Sequence, residues 1–427
     1  MERLIPALGL LVLLGIAWAL SSNRSRIPYR VVVGGLLLQF VLALIVLRSD
    51  IGQSVFQTIG NLFTSLLDCV DKGAGFVFGE APVVTPSKDD PTQTSPAFKV
   101  HFVAFKVLPT IIFFSSLMSI LYYIGAMQKI VGVISVLMQK TLGTSGAETL
   151  SAAGNIFVGQ TEAPLLVRPY INTMTRSELM AVMVGGFATI AGGVMAAYVS
   201  MGIDPVHLLT ASLMSAPAAL VIAKIMQPEV DTPTTLGKVE MTPPMEATNV
   251  IDAAAQGASD GLKLALNVGA MLIAFLALIY MLDASLGAVT QWVSMKLTGK
   301  DYSFTFTQVM GWISWPFAWL MGIETKDCYV ASQILGTRIV GNEFIAYLQM
   351  DPANNKAFAE VAPRTKMILT YALCGFANVG SIGIQLGGLG PLAPDRRADL
   401  VSLGLRAMIG GLLACYSTAC LAAILTP

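Results

Sequence analysis

Two short stretches constrain this chain more than anything else in it. Residues 154–164 read Gly154-Asn155-Ile156-Phe157-Val158-Gly159-Gln160-Thr161-Glu162-Ala163-Pro164, and residues 336–344 read Gly336-Thr337-Arg338-Ile339-Val340-Gly341-Asn342-Glu343-Phe344. Each is an apolar segment broken by glycine, then an amide side chain, then a carboxylate. The chain around them is 55% hydrophobic and 12% charged, where a soluble domain carries about 25% charged residues. Carboxylates and amides at membrane depth are costly and mark functional positions. Paired interruptions in the two halves of a membrane protein point to a transport site between inverted repeats.

The 427 residues contain several apolar runs that reach the roughly 20 residues needed to cross a bilayer core. The chain therefore reads as a multi-pass, all-α membrane protein. Candidate spans are 3–20, 30–48, 100–123, 177–200, 205–226, 260–293, 366–389 and 399–425, the first being a span and not a cleaved signal. Residues 50–80 mix polar and apolar positions and suit an interfacial helix. Residues 81–97 read as an exposed loop, 126–142 are amphipathic, and the proline-rich 228–247 form a linker. The 26 basic and 26 acidic residues balance, so nothing indicates nucleic acid. Two histidines and five cysteines without C-x-x-C spacing argue against a His/Cys metal site.

Arg24, Arg26, Arg30, Lys129, Lys140, Arg168, Arg176, Arg396 and Arg397 place their loops in the cytoplasm. Lys296, Lys300, Arg364 and Lys366 run against that bias. Eight crossings then require residues 145–172 to enter and leave from the cytoplasmic side, and 324–350 from the outer side. Each is too short for two spans and long enough for a hairpin of half-helices turning at mid-membrane. Such re-entrant backbone must be covered by protein or water.

At the first tip Gly159 permits the turn, and Pro164 suits the first turn of the second half-helix. Gln160, Thr161 and Glu162 then lie at a helix N-terminus, with its free N–H donors. A neutral polar solute would be satisfied there; the alternative is that they merely cap the half-helix. At the second tip Gly341 turns the chain, and Asn342-Glu343 open a half-helix. A third cluster, Phe376-Ala377-Asn378-Val379-Gly380-Ser381, lies in an apolar span. Its Asn378 and Ser381 share a helix face, and the glycines at 375, 380 and 383 would let the span break. Asn378 and Ser381 could equally glue helices together.

The 159–164 segment resembles the first-hairpin motif of concentrative nucleoside transporters. Gly336-x-Arg338-x-x-x-Asn342-Glu343-Phe344-Ile345-Ala346-Tyr347 is similar to that family's G-x-K-x-x-x-N-E-F-V-A-Y, and Phe376-x-Asn378-x-x-Ser381 to its seventh-span motif. The resemblance covers residues 100–425, and the first two spans by topology. It implies eight transmembrane helices and two re-entrant hairpins in inverted repeats, a homotrimer in the cytoplasmic (inner) membrane, and import of nucleosides such as uridine by alternating access. No cofactor is implied beyond the coupling ion, sodium or a proton. The implied organisation has scaffold helices in 1–125, a first transport repeat in 126–227, a linker and interfacial helix in 228–259, a long scaffold helix in 260–298, and a second transport repeat in 299–427.

By the same resemblance, Gln160, Thr161 and Glu162 would face the nucleobase. Glu343, Asn378 and Ser381 would hold the ribose hydroxyls. Phe376 would wall the pocket, with Gly159 and Val194 among the substrate-facing positions. Sodium would be held by the Asn155 side chain, the Val158 carbonyl, the Thr189 hydroxyl and the Ile190 carbonyl. A carboxylate with an amide can bond vicinal hydroxyls. Thr189-Ile190-Ala191-Gly192-Gly193 is a natural helix break that would free carbonyls, or else a site of small-residue packing. Gly159, lacking a side chain, would leave room for purines as well as pyrimidines.

Arg338 stands where the family has Lys, keeping charge but changing geometry. Ile345 replaces Val, and Thr189 keeps a hydroxyl where Ser is common. An intramembrane hydrolase using Glu162 or Glu343 is the enzyme alternative, but no accompanying H-E-x-x-H is present. Neither a selectivity-filter repeat nor a G-x-x-x-x-G-K-[ST] loop supports a channel or an ATP-driven pump.

Overall fold

The computed structural model describes residues 3–78, 84–86, 94–96, 104–105, 108–236, 247–352 and 354–426. The chain opens with α1 (Leu4–Ala19), α2 (Tyr29–Arg48) and α3 (Asp50–Phe78). Most of the expected 81–97 loop lies outside the described residues; within it Val84–Pro86 pairs antiparallel with Thr94–Pro96. Next come α4 (Leu108–Tyr123), α5 (Ala126–Leu142), α6 (Gly146–Gly154), a 3-10 helix (Ala163–Thr173), α7 (Arg176–Ala188), α8 (Gly192–Ser200) and α9 (Pro205–Met226). The second half contains α10 (Val250–Thr298), α11 (Phe306–Leu320), α12 (Thr325–Val340), α13 (Glu343–Leu348), α14 (Pro363–Leu373), α15 (Val379–Leu389) and α16 (Arg397–Leu425).

Five helical stretches among the described residues are long and apolar enough to cross a membrane: Tyr29–Arg48, Arg176–Ser200, Pro205–Met226, Val250–Leu297 and Pro394–Leu425. α4 and α5 form a further candidate only as a pair, bent by 78°. The expected 100–123 span falls partly outside the described residues, and α1 is a shorter apolar helix. α3 is amphipathic, packing Phe63 flat on Phe114 at 5.3 Å while exposing Ile51 and Phe76, as an interfacial helix does.

Two expectations are corrected. Residues 250–259 are not a separate interfacial helix but the first turns of the 49-residue α10, started by Asn249, whose side chain accepts from the Asp252 amide. No proline interrupts the helix after that cap. α11 is absent from the expected spans. Its 15 residues are too short to span a bilayer, yet its Thr305/Gln308 capping box and apolar faces fold it onto α12.

One element order occurs twice. α5, a hairpin (α6 and the 3-10 helix), a broken helix (α7/α8) and α9 are followed later by α11, a hairpin (α12/α13), a broken helix (α14/α15) and α16. α7 packs on both α9 and α16, and α14 on the same two. α7 is buried from Ser177 to Ala188, consistent with a helix apolar on every side. α4 lies along α10.

The hairpin bases are tied down by matching polar contacts. At the first, the Ser145 hydroxyl donates to Glu178 Oε1 at 2.6 Å, joining the starts of α6 and α7. Lys224 Nζ meets Glu148 Oε2 at 2.6 Å with both side chains buried. At the second, Asp327 accepts from the Ala362 amide (3.1 Å) and the Thr365 hydroxyl (2.8 Å), joining α12 to α14. Breaking a buried ion pair such as Lys224–Glu148 costs about 3–5 kcal/mol, because one charge is left uncompensated. These anchors hold both tips toward the core.

Candidate functional site

The site lies where both tips and both helix breaks meet. α6 stops at Asn155, and the Ser212 hydroxyl of α9 pins the tip by donating to the Ile156 carbonyl at 2.7 Å. The Phe157 carbonyl accepts from the Gly192 amide at 2.9 Å, tying the tip to the α7/α8 break. Glu162 is the N-cap residue of the 3-10 helix but makes no side-chain cap. Its carboxylate folds back to accept from the Gly159 amide at 2.7 Å. A Cβ at Gly159 would lie 3.2 Å from Glu162 Oε2 and 3.3 Å from Ala191 Cβ. The space beside Gly159 is thus occupied by Glu162 and Ala191 in this conformation and is not open room for a base.

The second tip is built differently. The Asn342 side chain caps α13, accepting from the Ile345 amide at 2.9 Å. Glu343, the first residue of that helix, is buried. Its Oε2 accepts from Asn378 Nδ2 at 3.0 Å, and its Oε1 from the Tyr198 hydroxyl of α8 at 3.0 Å. Asn378 also caps α15, accepting from the Ser381 amide at 2.8 Å. Asn378 and Ser381 are therefore joined by a cap bond and to Glu343 through the Asn378 amide. Tyr198 stacks near Tyr347 and Phe344, with ring centres 4.5 and 5.9 Å away. Val194, one turn before Tyr198, is buried on the same side of α8.

The two breaks touch. The Phe376 amide donates to the Thr189 carbonyl at 3.3 Å. A Cβ at Gly375 would come 2.7 Å from the Phe187 carbonyl oxygen, so only glycine lets the strands pass so closely. Arg338, fully buried, closes the end of α14: it donates to the Ala372 carbonyl at 2.5 Å and to the Gly375 carbonyl at 3.1 Å. These are the carbonyls that a helix end and an unwound segment leave open.

Around Asn155 the polar groups are unmatched. Its side chain is fully buried, and neither Oδ1 nor Nδ2 has a partner among the described residues. The Thr189 hydroxyl donates to the Gly185 carbonyl at 2.8 Å, leaving its lone pairs free. Asn155 Nδ2 would lie 3.0 Å from a Cβ at Gly185, so Asn155 packs on the residue of α7 whose carbonyl accepts from Thr189. The main-chain bonds around the breaks leave the Val158 and Ile190 carbonyls without donors among the described residues.

Residues 207–423 match the family described as Na+ dependent nucleoside transporter C-terminus, and 8–81 its N-terminus. Residues 104–204 match a family described as "Gate: Nucleoside recognition". The chain belongs to the Na+ dependent nucleoside transporter family. It is 41% identical over 437 residues to Solute carrier family 28 member 3 of Eptatretus stoutii, covering 99% of this chain and 61% of that one. An uncharacterized transporter of Haemophilus influenzae is 43% identical, with 99% and 98% covered. The solved structure of CNTnw in an inward-facing substrate-bound state superposes with a TM-score of 0.89 at 41% identity, covering 100% of this chain and 98% of that one. The chain spans about three fifths of the length of the Solute carrier family 28 member 3 relatives it matches. The family's fold, the concentrative nucleoside transporter fold, is therefore the fold of this multi-pass membrane protein.

Two polar residues of this core were missed by sequence reasoning. Tyr198 lies in an apolar helix and looks like packing, with its partner 145 residues away in sequence. Gln385 lies in α15, where a spacing of four from Ser381 was a usable signal. Arg338 was seen only as a substitution for Lys; its bonds to the α14 end were not legible.

Proposed function

We propose that this protein is a sodium-coupled symporter that imports nucleosides across the cytoplasmic membrane. The observation that carries the reading is the buried Glu343–Asn378 pair beside the α15 start, held by Tyr198. A carboxylate and an amide at a helix start can bond the vicinal hydroxyls of a ribose, with Ser381 next to them. A solute lacking those hydroxyls would leave buried polar groups unpaired and be rejected. Gln160, Thr161 and Glu162 on the opposite tip face the base, with Phe376 and Val194 as apolar walls.

Sodium fits the oxygen set of Asn155 Oδ1, the Thr189 hydroxyl and the Val158 and Ile190 carbonyls. Hard cations take oxygen ligands, and unwound carbonyls with half-helix ends supply them in transporters. The unpartnered buried side chain of Asn155 supports this placement. Because the Gly192 amide bonds the Phe157 carbonyl, an ion here would stiffen the first tip as the nucleoside arrives.

The most apolar stretches of α9 and α16 are 78% and 83% buried. By contrast, only 19% of the most apolar stretch of α10 is buried, against 94% for α7/α8. We assign 126–227 and 299–427 to a moving transport unit, and α4 with α10 to a scaffold. The exposed apolar face of α10, including Leu266 and Ile273, would meet lipid and the other subunits of a homotrimer. Uptake of labelled uridine and adenosine into proteoliposomes under imposed sodium or proton gradients tests the function. Accumulation with sodium supports it, and accumulation that follows only protons would remove the sodium site.

A further inference from the structure

Asn378, Ser381, Gln385 and Gly388 form a single stripe along α15, spaced three, four and three residues apart, which puts them on one helix face. One end of the stripe meets the second tip, where Asn378 bonds Glu343. The other meets the first: a Cβ at Gly388 would come 2.7 Å from Thr161 Cγ2. Seven residues at ~1.5 Å rise put Gln385 roughly 10 Å beyond Asn378, comparable to the length of a nucleoside.

Gln385 is 1% exposed. Its Nε2 is fixed by donation to the Met183 carbonyl at 2.8 Å, while its Oε1 has no partner among the described residues. Gln160 on the first tip is in the same position: buried, with an unpartnered Oε1. The two amides flank the bare α-carbon of Gly186. A Cβ there would meet Gln385 Nε2 at 2.4 Å and Gln160 Cβ at 2.8 Å. A buried acceptor without a donor is costly, and here each half of the molecule supplies one, on side chains that both pack against Gly186.

We propose that Gln385 is a specificity-determining residue for the nucleobase: its Oε1 accepts an N–H of the base, alongside Gln160. The ligand chemistry is a planar heterocycle with an N–H donor on its edge, such as the N3–H of uracil or the exocyclic amine of adenine. The second half of the protein thereby contributes to reading the base as well as the sugar. Fixing Nε2 to Met183 dictates which end of the amide faces the solute. The role rests on the nucleoside reading above.

The test uses the full chain in proteoliposomes with uridine, 3-methyluridine, which lacks the N3–H, and 2′-deoxyuridine. Wild type should take uridine at least about tenfold better than 3-methyluridine, the scale of one buried hydrogen bond. Gln385→Met, similar in volume but without the acceptor, should lose that preference while keeping the preference for uridine over 2′-deoxyuridine. Equal loss for all three substrates would make Gln385 merely structural and overturn the proposal, as would wild type indifferent to the N3 methyl. Should Gln385→Met fail to assemble, Gln385→Asn withdraws the same amide by one methylene and is read the same way. A wild-type protein that moves none of the three would overturn the nucleoside reading itself.

Discussion

The Tyr198 hydroxyl donates to Glu343 Oε1 at 3.0 Å, a bond from the broken helix of the first half to the hairpin of the second. Asn378 holds the other oxygen of the same carboxylate at 3.0 Å, so Glu343 has one donor from each half. A carboxylate held at both oxygens has a fixed plane, so a ribose bound there as proposed would meet it in one orientation. Tyr198→Phe removes a bond to a charged group, worth about 1.5–3 kcal/mol. The expected result is a KM for uridine raised roughly tenfold or more in a protein that still folds, measured by initial uptake rates. Unchanged KM would mean that Asn378 alone positions Glu343.

The ion set makes a separable prediction. Asn155→Ala removes an oxygen from the proposed cage, and Thr189→Ala removes the hydroxyl at the end of α7. Either should raise the sodium concentration needed for half-maximal uptake while leaving uridine affinity at saturating sodium nearly unchanged. Sodium titration of uptake measures both. A variant whose sodium dependence matches wild type would take that residue out of the cage.

Much of this architecture could be read from residue order. Glycine followed by amide and carboxylate marked both tips, and the small-residue runs at 189–193 and 375–383 marked both breaks, because these departures from apolar helix have few other uses. What stayed hidden depends on distant partners. Glu162 turning back onto the Gly159 amide closed the space that the missing side chain suggested. The start of α10 at Val250 was concealed by a polar stretch that resembles linker. Tyr198 and Gln385 are single polar groups in apolar helices, and only the fold reveals what they face.

Arg338 offers a stability test. Buried without an acidic ion-pair partner within salt-bridge distance among the described residues, it donates to the Ala372 and Gly375 carbonyls at the break. Arg338→Met leaves both carbonyls without those donors, at about 1–3 kcal/mol each, and the melting temperature of the purified protein should fall. Arg338→Lys keeps one donor and should fall less. Equal melting of all three proteins would show that the break is held by other contacts.

The moving-unit assignment predicts a trap. The second tip borders α10: a Cβ at Gly341 would lie 3.2 Å from Ile279 Cδ1. Cross-linking the second hairpin to α10 near Ile279 should hold one state and stop net uptake, while uridine binding persists. Full uptake with the cross-link complete would replace the moving unit with local opening of the hairpins.

The most direct test of the whole account is uridine accumulation in proteoliposomes under an inward sodium gradient, comparing wild type with Glu343→Gln. The substitution preserves shape but removes the charge-assisted bond, worth about 1.5–3 kcal/mol. The account predicts that wild type concentrates uridine only while the sodium gradient lasts, and that the folded Glu343→Gln protein loses most uridine affinity. Accumulation indifferent to sodium, or wild-type uridine affinity in Glu343→Gln, would contradict it.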